Sequence, residues 1–164
     1  MKYGKKTRND RLIKTKRTDV YQDKIKLNEP TLCKTCASLF VGGRWTWKKP
    51  EGPVNEAVCP ACRRIADNYP AGYIEIMGSF FKEHQEDLLN LVHNIGTREK
   101  TDRALERIIR ILKKPNGVVV TTTGIHIARR IGEALHRSYK GQFSFTYLDA
   151  DKGIRVRWER ELNQ

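Results

Sequence analysis

The amino-acid sequence predicts an α+β protein in two parts: a small unit tied together by four cysteines, then a small α+β sandwich in the order β-α-α-β-α-β-β. Three observations predict it. Cys33, Cys36, Cys59 and Cys62 make two Cys-x-x-Cys pairs and are all the cysteines in the chain. Alternating runs such as Tyr73-Ile74-Glu75-Ile76 read as half-buried strands. Between those runs, apolar residues recur at helical spacing. The expected boundaries are a basic flexible tail over residues 1–30, the cysteine unit over 31–68 and the α+β domain over 69–160.

The elements follow in order. Up to Arg17 the chain holds eight Lys or Arg against one Asp, and no apolar period is sustained. Such a segment is expected to stay flexible until it meets a partner. Glu29-Pro30 punctuates the chain before the first cysteine pair. Leu39-Phe40-Val41 and Trp45-Thr46-Trp47 flank Gly42-Gly43-Arg44, which predicts a tight hairpin. A strand is predicted over 73–76. A helix over 81–95 is predicted through Phe81, Leu88, Val92 and Ile95, with Gly96 as its stop. Thr101 or Asp102 caps a second helix whose stripe is Leu105, Ile108, Ile109 and Leu112, ended by Pro115-Asn116-Gly117. Residues 118–121 read as a strand. A third helix buries Ile127, Ile131, Ala134 and Leu135, and Gly141 closes it. Strands over 143–148 and 154–158 are joined by a hairpin loop at 149–153.

The cysteine pairs point to zinc. The ion is borderline soft and favours four tetrahedral ligands, which thiolates supply. Each Cys-x-x-Cys turn converges two sulfurs, and two turns at opposite ends of a hairpin complete the shell. Disulfides would need an oxidising compartment. A redox motif would leave one pair unexplained, and a rubredoxin-like iron site is the remaining competitor. The reading is a four-cysteine zinc ribbon whose zinc has no open position and is therefore structural.

Length, composition and charge bound the function. The chain has 164 residues, 38% hydrophobic and 31% charged, with a net charge of +13. Such a surplus attracts polyanions, RNA first among them. No apolar stretch approaches the roughly 18 residues of a membrane helix. The basic start, Met1-Lys2-Tyr3-Gly4, is not followed by an apolar segment, so no secretory signal is expected. The cytoplasm is the expected location.

Several clusters suit RNA. Lys5, Lys6 and Arg8 lie in the basic tail. Arg44, Trp45, Trp47 and Lys48 interleave cations with rings on which bases stack; the competing reading has the tryptophans covering the ribbon. Arg63 and Arg64 flank the second cysteine pair, where they offset thiolate charge or reach phosphates. Arg129 and Arg130 lie off the apolar stripe of the third helix. The second helix carries Arg103, Arg107, Arg110, Lys113 and Lys114 in the same way. If Ile154, Val156 and Trp158 face the helices, Arg155 and Arg157 face the other side of the sheet, which an antiparallel sheet can leave wet. The strand-to-helix step at 121–126 offers backbone amides to a phosphate, against plain threonine capping. His84, His93, His126 and His136 are scattered and no phosphate-cradling loop exists. The expected protein is therefore not an enzyme and takes no small-molecule substrate.

The run Cys-Pro-Ala-Cys-Arg-Arg-Ile-Ala-Asp after the first pair, together with Tyr69-Pro70-Ala71-Gly72, resembles a family of small bacterial zinc-ribbon proteins. That family is similar in turn to the N-terminal part of the archaeal and eukaryotic large-subunit ribosome export adaptor. The likeness continues through residues 117–123 and 126–131 and ends in Val156-Arg157-Trp158-Glu159-Arg160, covering about residues 31–160. The resemblance implies binding to ribosomal RNA or to the large ribosomal subunit, with ribosomal proteins as further partners, in assembly, quality control or dormancy, rather than catalysis. The alternative is a zinc-ribbon adaptor between proteins, for example of the transcription machinery.

Overall fold

The structure, a computed structural model, describes Tyr21, residues 27–149 and residues 152–163. The tail expected over 1–30, with Lys5, Lys6 and Arg8, lies almost wholly outside the described residues. Among the described residues, no helix is long and apolar enough to cross a membrane.

The cysteine unit holds four three-residue strands: β1 (Thr31–Cys33), β2 (Leu39–Val41), β3 (Arg44–Thr46) and β4 (Asn55–Ala57). They form a mixed sheet in the order β3-β2-β1-β4, with β1 antiparallel to β2 and parallel to β4. The β2–β3 turn is where the sequence puts it. Gly42 and Gly43 both have positive φ, +62° and +76°, as a two-residue hairpin turn of matching twist requires. The Glu29 carboxylate accepts hydrogen bonds from both glycine amides, at 3.3 and 2.7 Å. The unit ends in a helix absent from the sequence reading, α1 (Pro60–Asp67). Proline at its first position and left-handed Asn68 just past its end are ordinary helix boundaries.

The larger unit contains β5 (Gly72–Met77), α2 (Ser79–Glu83), α3 (Gln85–Asp102), β6 (Ile108–Lys114) and β7 (Gly117–Thr122). After them come α4 (Ile125–Tyr139), β8 (Gln142–Leu148) and β9 (Gly153–Glu159). The five strands form a mixed sheet in the order β6-β7-β5-β9-β8, in which only β5 and β9 run parallel. One face carries Ile74, Ile76, Val118, Val120, Ile154, Val156 and Trp158. These pack against Leu88 and Val92 of α3 and Ile127, Ile131 and Leu135 of α4. The core is thus one helical layer on one face of one sheet. Gly132 lets α4 come close: a Cβ there would lie 2.5 Å from both the Phe143 ring and Val156 Cγ1.

The order after the cysteine unit is β-α-α-β-β-α-β-β, which corrects the expected β-α-α-β-α-β-β. The predicted second helix over 101–112 does not form. Helix α3 runs through Gly96 to Asp102, and 108–114 is a strand paired with β7. Gly96 is not a stop but a recess: a Cβ there would lie 2.5 Å from Ile108 Cδ1. Pro115-Asn116, taken as a helix end, is the hairpin turn that sets Lys114 opposite Gly117. A bulge between Ile108 and Arg110 spaces the apolar residues of β6 so that they imitate helical spacing.

Helix α4 starts at Gly124 without a capping side chain from its own N-cap. The Glu106 carboxylate does that work, accepting from Ile127 N at 3.1 Å. A Cβ on Gly124 would overlap that carboxylate. The helix N-terminus considered for a phosphate therefore already faces one of the protein's own anions.

Burial raises the Glu106 pKa above its ordinary 4.5, against the opposing pull of the Ile127 amide. A carboxyl whose folded pKa is raised stabilises the fold fully only below its unfolded pKa. That stability is lost as pH rises through the folded value. Glu106→Gln keeps an acceptor for Ile127 and removes the buried charge. Its stability relative to the unsubstituted chain is expected to improve as pH rises from 4.5 towards 7, read by urea unfolding; a difference constant with pH would contradict this.

Candidate metal centre

The four cysteines converge although they come from two structurally different places. Cys33 ends β1, and Cys36 lies in the turn that follows it. Cys59 is the N-cap of α1 and Cys62 is in its first turn. The second pair thus sits on a helix N-terminus rather than at the far end of a hairpin, as the sequence reading supposed. This placement suits anionic sulfur: the amide ends of a helix favour negative charge and lower thiol pKa values. The parallel pairing of β1 with β4, which sets Cys33 beside Ala57, brings the two pairs together.

The four sulfur atoms lie within 4.8 Å of one another. Cys36 Sγ and Cys59 Sγ are 3.8 Å apart. A tetrahedral shell with metal–sulfur bonds of about 2.3 Å needs sulfurs about 3.8 Å apart. The cluster therefore has the donor set and the spacing to hold one metal ion. It is the one such grouping of His, Cys, Asp or Glu among the described residues. Cys33, Cys59 and Cys62 are buried and Cys36 is half-buried. Backbone amides point at the sulfurs: Cys59 N donates to Cys33 Sγ at 3.2 Å and Cys62 N to Cys59 Sγ at 3.4 Å.

Arg107 is the residue that sequence reasoning misplaced. It was expected on the solvated face of a helix, yet only 6% of it is exposed. Its guanidinium donates to Cys36 Sγ at 3.1 Å, to Cys62 Sγ at 3.2 Å and to Cys59 Sγ at 3.6 Å. Its Nε donates to Ala104 O at 2.8 Å and its backbone N to Thr123 Oγ1 at 2.8 Å. Four thiolates around a divalent ion leave an excess of two negative charges, and Arg107 offsets one of them inside the protein. As free thiols the cysteines divide. Burial pushes Cys59 and Cys62 up. At Cys36 burial is outweighed by hydrogen bonds from Ser38 and Arg107, which bring it down to about 6. No sequence signal marks Arg107, because its value lies in a contact 45 residues away from Cys62.

The tryptophans close the site. Trp45 is half-buried, packs on the cysteine cluster and meets the Phe40 ring at a tilt, with centroids 5.4 Å apart. Trp47 Nε1 donates to Lys100 O at 2.6 Å, and its ring lies 5.4 Å from the Arg107 Cζ. Arg64 is also buried; its guanidinium lies over Tyr21 at 4.5 Å and donates to Tyr69 O at 3.0 Å. Arg63 donates to Tyr21 O at 3.3 Å.

The other cations singled out in the sequence occupy three separate places. Arg44 and Lys48 are exposed on and just after β3. On α4, Arg129 pairs with Glu133 at 3.0 Å and with Tyr147, while Arg130 lies 3.6 Å from Glu99. Arg155 and Arg157 are exposed on β9, facing away from the helices as expected, with Arg157 within 3.9 Å of Glu75 and 3.7 Å of Glu159.

Arg107→Gln removes the charge from the cluster while leaving all four sulfurs. Affinity for a thiophilic metal ion, read by competition with a chromophoric chelator, is expected to fall by about 10–100-fold. Unchanged affinity would reduce Arg107 to packing.

No family model matches this chain, and no curated protein matches it.

Proposed function

We propose that this is a zinc-dependent RNA-binding protein, acting on the large ribosomal subunit in assembly, quality control or dormancy. Four thiolates at tetrahedral spacing are the donor set that zinc favours over harder cations. The ion would be held by Cys33, Cys36, Cys59 and Cys62, with every position filled by protein, so its role is structural.

One observation carries the RNA reading: the sheet face opposite the helices. The strand register sets Arg110, Thr121, Tyr73 and Arg155 side by side in one row across β6, β7, β5 and β9. Arg110 and Arg155 are exposed. The Arg155 guanidinium lies 5.8 Å from the centre of the Tyr73 ring. Thr121 Oγ1, in the middle of the row, is buried and has no hydrogen-bond partner among the described residues. The neighbouring row holds Leu112, Val119, Glu75 and Arg157. A ring with Arg155 beside it and Arg110 two strands away gives bases a stacking surface and phosphates their counter-charge. The basic tail with Lys5, Lys6 and Arg8, and the ribbon cations Arg44 and Lys48, would extend the contact and its salt dependence.

The test is binding of a labelled single-stranded RNA, followed by anisotropy across salt concentrations. Arg110→Ala with Arg155→Ala is expected to weaken binding and reduce the salt slope by about one to two units. Tyr73→Ala is expected to cost about 1–3 kcal/mol. Binding indifferent to all three would refute the assignment of this face. Co-sedimentation with ribosomes that survives ribonuclease would favour a protein-binding adaptor instead.

A further inference from the structure

The five-stranded sheet ends in two edges of unlike chemistry. Strand β6 carries Arg110, Lys113 and Lys114, all exposed, and its register with β7 is broken by a bulge. Charges and bulges are the devices that keep a sheet edge from pairing with another chain. Strand β8 has neither. It reads Gln142-Phe143-Ser144-Phe145-Thr146-Tyr147-Leu148, with no charge and no proline, and pairs with β9 along its whole length without a register shift. Phe145 is 37% and Tyr147 42% exposed. Their rings continue a ladder from Phe143, with centroids 5.9 and 5.6 Å apart. Arg129 lies 4.8 Å over Phe145 and donates to Tyr147 Oη at 3.2 Å, holding the ladder in place. Among the described residues, no strand pairs with the outer edge of β8.

We propose that β8 pairs antiparallel with β8 of a second copy of this chain, about a two-fold axis, making one sheet continuous across both molecules. The strand is complementary to itself in that arrangement. With Phe145 opposite its twin, Phe143 meets Tyr147 on the helix side and Ser144 meets Thr146 on the other, so rings face rings and hydroxyls face hydroxyls. The ends match in charge as well. Lys140 precedes the strand and Asp149 follows it, and antiparallel pairing brings the Lys140 end of each copy to the Asp149 end of the other. Because β6 is guarded, growth stops at two copies, and the isologous contact closes instead of running on into a filament. The net charge of +13 opposes the approach of two copies. Salt screens that repulsion beyond about 8 Å at physiological ionic strength. Association should therefore tighten as salt rises, the reverse of RNA binding.

Sedimentation velocity on the full, metal-loaded chain at about 0.15 M salt tests this. The expected species has twice the 19.0 kDa chain mass at tens of micromolar. Phe145→Lys places two ammonium groups opposite one another and is expected to give a single-chain species with unchanged far-ultraviolet dichroism and metal content. If that variant does not fold, Ser144→Lys combined with Thr146→Lys, both exposed on the other side of the strand, again sets ammonium groups opposite one another and makes the same test. Leu112→Lys, at an equally exposed apolar position on the guarded edge, is expected to leave the pair intact. A chain that stays single at all concentrations, or a pair that survives the charge in β8, would overturn the proposal.

Discussion

One guanidinium among four sulfur atoms, with the Trp47–Lys100 hydrogen bond beside it, joins the two units of this protein. The strands of the cysteine unit are three residues long, and the apolar cluster around them consists largely of the cysteines themselves, with Trp45, Val58 and Leu105 packed at its border. A core that small does not order a chain by apolar burial alone. A metal ion held by the four sulfurs would supply what is missing, because a site absent from the unfolded chain makes binding energy into folding energy. Arg107 extends that dependence beyond the cysteine unit. It belongs to the segment leading into β6, is anchored by Ala104 O and Thr123 Oγ1, and ends among three sulfurs. A buried guanidinium without its counter-charge is costly, so the thiolates and Arg107 require one another.

Much of this was legible in the sequence where one residue type admits one reading. Two Cys-x-x-Cys pairs with no spare cysteine identify the donor set, and Gly42-Gly43 identifies a turn with two positive φ values. The alternation of Ile154, Val156 and Trp158 with Arg155 and Arg157 assigned both faces of β9 correctly, because a period of two has only one strand interpretation. The segment from Leu105 to Leu112 was misread for the opposite reason. Its spacing satisfies a helix, but its bulge, its partner β7 and the recess at Gly96 are settled by contacts distant in sequence. Arg107 was lost with that segment, since a cation on an expected helix face looks like every other solvated cation.

The charge of the chain is not spread evenly in its effects. Arg64 and Arg107 are buried and structural, and Arg129 and Arg157 are engaged with neighbouring carboxylates. Arg155 remains exposed beside Tyr73, and Arg110 is exposed two strands away in the same row, on the face opposite the helices. The same sheet thus offers three surfaces of different character: a helix-covered apolar face, a cationic face with an aromatic centre, and the neutral aromatic edge of β8. Each follows from the period-two alternation of strands whose two sides meet different surroundings.

The most direct measurement is X-ray absorption fine structure at the metal edge of the purified protein, with metal content determined on the same sample. One zinc per chain, surrounded by four sulfurs at about 2.3 Å and by no lighter atom, is the result this account predicts. Protein that is folded without metal, or zinc bound through nitrogen or oxygen, would contradict it.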